Sequence, residues 1–288
     1  MRLIFRFLIL IRAPIFALGT QFLSLPSNAE ELAVGSHPTF GRFFSVNPSI
    51  LIAPKEGPEL SLCRGTWIGG VNTANLAYNQ NINNRTLHIQ LRYSGLTDIE
   101  LRDERPSDEA LAYFSSFGIS GKIGVSFGSN RSRYGISLES IRIGIYNESA
   151  QGMALNAGYL YRFPNKFSFG LSVLNIGKMS SLKSSAPRLP TRFFVGLSKE
   201  LIFGEYSNSV HLSSEWNEVA ETMHLWFGNI FNWKTIQIMS GISTASKIYT
   251  ASAGIGLQLG QYNISYGIRF GSQDIGLPQS ITIHIRLP

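Results

Sequence analysis

Charge is scarce in this chain of 288 residues, since Asp, Glu, Lys and Arg together make up only 15 % of it. Soluble globular domains carry about 25 %. The chain contains 28 Gly residues and 12 % aromatic residues, whereas its hydrophobic fraction of 44 % is ordinary. A soluble α/β enzyme would carry more charge, and a helical membrane protein would be more apolar. The composition favours a β-rich protein with one lipid-facing surface and one polar surface.

Cysteine and long apolar runs are also scarce. Cys63 is the single cysteine, so no internal disulfide can form. Beyond the N-terminal region, no stretch reaches the roughly 18 apolar residues that a spanning helix needs. The formal net charge is +7, and three of the positive charges lie near the N-terminus. The remaining balance is too mild to indicate a nucleic-acid partner.

The N-terminal residues 1–29 have the features of a secretory signal peptide. Arg2 and Arg6 begin the segment, an apolar region follows, and the small-residue sequence SNA ends it at Ala29. This order of features predicts export with cleavage after Ala29. The alternative, a membrane anchor, is disfavoured because Arg and Pro residues interrupt the apolar run.

Hydrophobic and polar residues alternate from about residue 58 to the end of the chain. In YNISYGIRFGS, aromatic and aliphatic residues share one face, and small or polar residues share the other. About 12 to 14 such runs occur, and many have about the 9 to 11 residues that a tilted membrane strand requires. A soluble β-sandwich would also alternate, but its outer face would carry more charge. Because strands cross lipid only as a closed barrel, the pattern predicts an all-β fold, a transmembrane antiparallel β-barrel of about 14 strands over residues 58–288.

Four stretches resemble the PorV/PorQ group of outer-membrane barrels, which are relatives of the FadL long-chain fatty-acid transporters. They are FFSVNPSIL at 43–51, TWIGGVNTANLAY at 66–78, YGISLESIRIGIYNESAQGMALNAGYLYR at 134–162, and FSFGLSVLNIGKM with RLPTRFFVGLS downstream. Asn175, Gly177 and Pro190 match fixed-looking positions of the last element. The resemblance covers most of residues 40–200 and depends on the order and spacing of the four stretches.

The resemblance implies a 14-stranded barrel whose short N-terminal segment, residues 30–57, folds into the lumen. Pro48 lacks an N–H group and biases Asn47 towards an extended conformation. That geometry suits a turn packed against the inner wall, so we expect Asn47 and Pro48 to be buried there. Phe43 and Phe44 would supply apolar contacts to the same wall.

The function that the resemblance implies is non-enzymatic, as a component of protein secretion or cell-surface assembly of the type IX kind. The alternative is a FadL-like passive transporter of hydrophobic small molecules, and a third possibility is a purely structural envelope barrel. The expected partners are outer-membrane lipid, secretion-translocon or surface-attachment proteins, and a hydrophobic ligand. The expected location is the outer membrane of a Gram-negative bacterium.

The sequence carries no motif for a catalytic site, a metal or a cofactor. Five His residues are present, but none has the spacing of a metal site and HExxH is absent. Charges within strand runs should face the lumen or lie at the rim, because an Arg facing lipid costs about 2–4 kcal/mol at mid-depth. Cross-lumen Arg–Glu pairs are the simpler interpretation, and a polar pathway is the alternative. The candidate lumen charges are Arg142, Arg162, Arg192, Glu215 and Arg269.

Overall fold

A computed structural model describes residues 19–41, 45–50, 57–83, 85–102, 109–272 and 276–288. In these residues fourteen strands form a closed barrel, in which each strand pairs antiparallel with its neighbours in the chain and the first strand pairs with the last. The predicted transmembrane antiparallel barrel of about 14 strands is confirmed.

The strands are β1 (Glu59–Trp67), β2 (Val71–Ile82), β3 (Arg85–Leu101), β4 (Ala112–Gly128), β5 (Ser132–Ile145), β6 (Glu148–Arg162), β7 (Phe167–Met179), β8 (Arg192–Phe203), β9 (Tyr206–Asn217), β10 (Thr222–Trp233), β11 (Ile236–Ala245), β12 (Ile248–Leu259), β13 (Tyr262–Gly271) and β14 (Gln279–Arg286). The described helices are the α-helix α1 (Ala29–Val34) and the 3-10 helices Thr20–Ser24 and Ile68–Gly70. Within the described ranges, no helix is long and apolar enough to cross a bilayer.

The alternating hydrophobic and polar residues of each strand form the outer and the inner surface of the barrel. Large hydrophobic side chains such as Leu91, Ile136 and Ile242 are exposed on the outside. Their strand neighbours are small or polar and face the lumen, as Ser265 of β13 does with no exposed surface. Successive side chains of a strand point to opposite faces, so this pattern places the apolar surface in contact with lipid and the polar surface in the lumen.

The two ends of the barrel differ. β1 begins and β14 ends at one end, here called the terminus end, and the hairpins at this end are short. The opposite end, here called the loop end, carries the longer connections that follow β3, β7 and β13. β3 and β4 have 17 residues each, more than the 9–11 that a tilted strand needs to cross the bilayer. Short turns on one side and long loops on the other are typical of outer-membrane barrels.

The structure corrects the lumen assignment of Arg142: of the two positions expected for strand charges, the lumen and the rim, Arg142 does not occupy the lumen. Arg142 is exposed on the outer face of β5, between the inward-facing Ile141 and Ile143. β5 has 14 residues, and Arg142 lies three residues before its end at the loop end. A charge on the lipid face costs little near the interface, so this position tolerates an outward guanidinium.

The N-terminal part of the chain lies inside the barrel. Phe22 and Leu23 pack near the loop end, α1 packs against β10 to β14, and residues 45–50 pack against β5 to β7. The lumen segment therefore includes residues 19–29, which the predicted cleavage after Ala29 would remove. Phe43 and Phe44 lie outside the described residues.

Candidate functional site

Inward-facing glycines on successive strands leave the space that the lumen segment fills. A Cβ atom added at Gly135 would collide with the backbone of Pro48, and one at Gly158 would collide with the side chain of Asn47. The glycines that contact the segment in this way are Gly118, Gly135, Gly158, Gly170, Gly196, Gly228, Gly241, Gly254 and Gly267. Gly in a strand interior often marks a close approach of another backbone, so the inner wall is shaped to hold this segment.

The turn at Asn47 is fully buried against the inner wall. The Asn47 amide donates to the carbonyl oxygens of Pro38, at 2.6 Å, and Tyr159, at 3.1 Å. Its Oδ1 accepts from the backbone N–H and the hydroxyl of Ser49, at 2.9 and 2.7 Å. Pro48 is buried beside it. All four hydrogen-bonding positions of the Asn47 side chain are thus satisfied, which fixes the turn to β6 and to the preceding part of the segment.

Glu30 of α1 attaches the lumen segment to β13 and β14, on the other side of the barrel from the Asn47 turn. Its Oε1 accepts from the Ser265 hydroxyl at 2.6 Å and lies 2.7 Å from His284 Nε2. Burial by itself would raise the pKa of the Glu30 carboxyl, but the His284 ring and the Ser265 hydroxyl outweigh it and lower the pKa to about 2. Glu30 is therefore an anionic anchor of the segment at neutral pH.

Four of the five predicted lumen charges lie on the inner face. Arg192 Nε lies 2.6 Å from Glu215 Oε1, and both side chains are buried. The second Glu215 oxygen accepts from Trp226 Nε1 at 3.1 Å. Arg162 ends β6 at the rim of the terminus end and is half-buried. Arg269 is buried in β13.

Sequence reasoning missed a second buried charge cluster. Lys122 of β4 lies 3.5 Å from Glu139 of β5, and both are almost fully buried. Arg92 of β3 is also buried and binds the lumen segment. Each of these residues occupies the polar position of an alternating run, so a strict application of the period-two pattern to β3, β4 and β5 could have found them.

A cavity of about 270 Å³ lies in the lumen at the loop end. Its lining comes from β1, β10, β11, β12 and β13 and the loop before β14 and is mostly apolar. The residues that define it are Trp67, Ala245, Ile248, Trp226 and Arg269. Aromatic walls with one convergent charged group are typical of small-molecule sites.

Arg269 forms the polar part of this cavity. Its guanidinium carbon lies 5.6 Å from the ring centre of Trp67 and 5.1 Å from that of Trp226, within cation–π distance of both. One terminal nitrogen donates to the carbonyl oxygen of Leu32, at 3.0 Å, at the end of α1. Within the described residues, the buried Nε of Arg269 makes no hydrogen bond. The cavity thus combines two aromatic faces with a cationic group that also contacts the lumen segment.

The hydrogen-bond ladder between β7 and β8 stops part-way. β8 pairs with β7 from Phe167 to Leu174, whereas β7 continues to Met179 along β6 alone. The Asn175 amide donates to the carbonyl oxygen of Pro190 at 3.0 Å, so the β7–β8 loop covers this interruption. On the outer face nearby, Val173 and Phe193 line an open apolar depression of about 670 Å³. This is the part of the wall where two neighbouring strands separate.

Metal ligands do not cluster in the part of the chain that the structure describes. No group of three His, Cys, Asp or Glu side chains there could hold an ion.

Comparison with known proteins shows the likeness in structure, not in sequence. No family model matches the chain, and no curated protein matches its sequence. The crystal structure of the toluene transporter TodX from Pseudomonas putida superimposes with a TM-score of 0.65 at 11 % identity, over 90 % of this chain and 98 % of that one. The toluene transporter TbuX from Ralstonia pickettii gives a TM-score of 0.61 at 10 % identity, over 91 % and 98 % of the two chains.

The chain has the barrel fold of these two transporters. Membership of the FadL superfamily, which the sequence resemblance indicated, remains a prediction. Membership of the PorV/PorQ group remains a prediction. The lumen segment, the cavity at the loop end and the separated strand pair together define the candidate functional site.

Proposed function

We propose that this FadL-like barrel is a passive transporter of small hydrophobic molecules across the outer membrane. The observation that carries the proposal is the apolar cavity at the loop end, which Trp67 and Trp226 help to line. The structural similarity to the toluene transporters TodX and TbuX supports it. No bond is made or broken in such a process, since the protein supplies only a favourable environment and a route.

The dimensions of the cavity favour a compact molecule. Its volume of about 270 Å³ lies just below the usual range of roughly 300–1,000 Å³ for ligand pockets. A single aromatic ring fits within this volume, whereas a long acyl chain would have to extend beyond the cavity. Arg269 is the cationic group among the lining residues.

The lumen segment shapes the route below the cavity. α1 and the Asn47 turn occupy the lumen between the cavity and the terminus end. A molecule that enters from the loop end must therefore displace this segment or leave sideways through the wall. The interrupted β7–β8 ladder, with its apolar depression, is the part of the wall best suited to a sideways exit.

A substitution that fills the cavity tests the proposal. Ala245 lines the cavity, and Ala245→Phe would occupy it without removing any observed hydrogen bond. Ala251 is exposed on the outer face of β12, so Ala251→Phe is a matched control. We expect toluene to quench the tryptophan fluorescence of the purified wild-type barrel saturably, and to enter cells that express it faster than control cells. Both effects should be lost in Ala245→Phe and retained in Ala251→Phe. Equal behaviour of the two variants would contradict the proposal.

A second proposal keeps the role in protein secretion or cell-surface assembly that the PorV/PorQ resemblance suggests. The observation that favours it is the tight enclosure of the lumen segment, because a barrel with a filled lumen can still act through its loops and outer surface. Co-purification from the native outer membrane with translocon or surface-attachment proteins would support it. If the barrel is isolated without such partners and also takes up toluene, the transporter proposal is favoured instead.

A further inference from the structure

Residues 20–25 are integrated into the packing of the barrel. Phe22 is 1 % exposed and Leu23 3 %. They form one buried cluster with side chains from β5, β6 and β7, including Ile141 and Met179. Gly118 of β4 lacks the Cβ atom that would collide with the Phe22 ring. The inner wall is therefore complementary to this part of the chain.

Arg92 depends on the same residues for its hydrogen bonds. Its guanidinium donates to the carbonyl oxygens of Phe22 at 3.2 Å, Leu23 at 3.4 Å and Leu25 at 2.6 Å. Arg92 itself is buried in β3. If residues 20–25 were absent, the Arg92 guanidinium would lose these three acceptors, and water would have to enter the lumen to replace them.

Residues 27–29 form the start of α1. The Asn28 side chain caps the helix by accepting from the Glu31 N–H at 2.7 Å, and Ser27 donates twice to the Glu31 carboxylate. The backbone N–H of Ala29 donates to Thr282 of β14 at 2.8 Å. Cleavage after Ala29 would remove the cap and place a new ammonium group on the buried Glu30, an unfavourable position for a charged terminus.

We propose that the leader is cleaved between Gly19 and Thr20, and that residues 20–29 belong to the mature lumen segment. Ala17 and Gly19 are the small residues that a leader peptidase requires three positions and one position before the cut. Hydrolysis of this bond consumes one water and yields a carboxylate on Gly19 and an ammonium group on Thr20. Gly19 is partly exposed at the edge of the packed region, whereas the Thr20 side chain is buried and its hydroxyl donates to the carbonyl oxygen of Arg188, so the new ammonium group forms at the boundary between the two.

N-terminal sequencing and intact-mass measurement test the cleavage site directly. The full chain, with a C-terminal tag, would be expressed in a Gram-negative host and recovered from the membrane fraction without selection for folded protein. The expected N-terminus is Thr20. Any other N-terminus overturns the assigned site, and a chain that begins at Glu30 also overturns the retention of residues 20–29.

Two matched substitutions separate the competing sites. Gly19→Leu should cause uncleaved precursor to accumulate, because a large residue directly before the cut is not accepted. Ala29→Leu should leave the N-terminus at Thr20, since sequencing reads processing whether or not this variant folds. Normal processing of Gly19→Leu, or a block in Ala29→Leu, would contradict the proposal.

Two chains that begin at different residues test whether residues 20–29 are needed for the folded barrel. The signal peptide of a host outer-membrane protein would be joined directly to Thr20 in one chain and to Glu30 in another. We expect the first chain to give a heat-modifiable, folded barrel and the second to show a lower urea midpoint or no folded band. Equal urea midpoints for the two chains would show that residues 20–29 are not required, and would overturn their assignment to the lumen segment.

Discussion

Replacing Gly158 with Ala tests whether the glycines of the inner wall hold the lumen segment. Gly158 lies in β6 opposite the Asn47 turn, and its backbone does not have the positive φ that only Gly tolerates well. A methyl group at this position would collide with Asn47 Oδ1 and would lie 2.9 Å from Pro48 Cδ. Since all these atoms belong to a buried segment, the added methyl can be accommodated only if the segment moves.

The expected magnitude follows from two contributions. Overpacking a tight site costs about 1–3 kcal/mol, and each hydrogen bond of Asn47 that is lost costs about 0.5–1.5 kcal/mol more. The opposing gain, from replacing a flexible Gly in a strand by Ala, is about 0.5–1 kcal/mol. We therefore expect Gly158→Ala to destabilise the docked segment by about 2 kcal/mol, which raises its undocked population by a factor of roughly 30.

Hydrogen exchange of the amides at residues 45–50, with a urea unfolding curve, measures this effect. Gly121 of β4 is a matched control, because a Cβ there would make only an ordinary contact at 3.4 Å with Leu91. Gly121→Ala should leave exchange in the segment unchanged and slightly stabilise the barrel. Equal exchange rates in the two variants would refute the idea that the inner glycines accommodate the lumen segment.

Three further predictions concern buried polar groups. Glu215→Gln should lower the free energy of unfolding by about 3–5 kcal/mol, because Arg192 would remain buried without its anionic partner. Urea unfolding curves would measure this loss. As a control, Glu205→Gln, in an exposed ion pair, should change the free energy of unfolding by no more than about 0.5 kcal/mol. Burial lowers the pKa of His37 from 6.5 to about 4, so the folded state favours the neutral ring. Docking of the lumen segment should therefore weaken as the pH falls from 6.5 to 4, by about 3 kcal/mol in total. Hydrogen exchange across this pH range would detect the loss, and it should be absent in His37→Gln. Asn47→Asp should increase exchange of the segment at neutral pH, because a carboxylate cannot donate to the two carbonyl oxygens that the amide binds, and the increase should diminish at acidic pH; an unchanged rate at neutral pH would contradict the proposed role of the turn.

The fold could be predicted from the sequence because lipid imposes a simple pattern. Alternation in runs such as β13, low charge and the absence of a long apolar run together indicated a closed barrel. The same rule placed Arg192 and Glu215 in the lumen. The lumen assignment failed for Arg142, because alternation along β5 puts it on the same outward face as Ile136 and Leu138, and β5 extends to a depth where an outward charge is tolerated.

The candidate site could be predicted only in part. The Asn47-Pro48 pair interrupts a strand pattern and is visible in the sequence, but one of its four hydrogen bonds reaches Tyr159, 112 residues away in the chain, and no local pattern indicates that partner. The cavity could not be predicted at all, since Trp67 and Arg269 lie near opposite ends of the barrel sequence and meet only because β1 closes the barrel beside β14. The position of the predicted cleavage, after Ala29, was chosen from the small-residue pattern. That pattern carries no information about the burial of Phe22 and Leu23.

By itself, the sequence determined that strands cross a membrane with an apolar outer face and a small, polar inner face, because that choice depends only on alternation along each strand. Tertiary structure alone decided what fills the lumen and where a ligand could bind. The glycines that seat the segment, the partners of Arg92 and the aromatic walls around Arg269 are brought together by barrel closure and strand register. These are properties of the whole chain, and no local pattern encodes them.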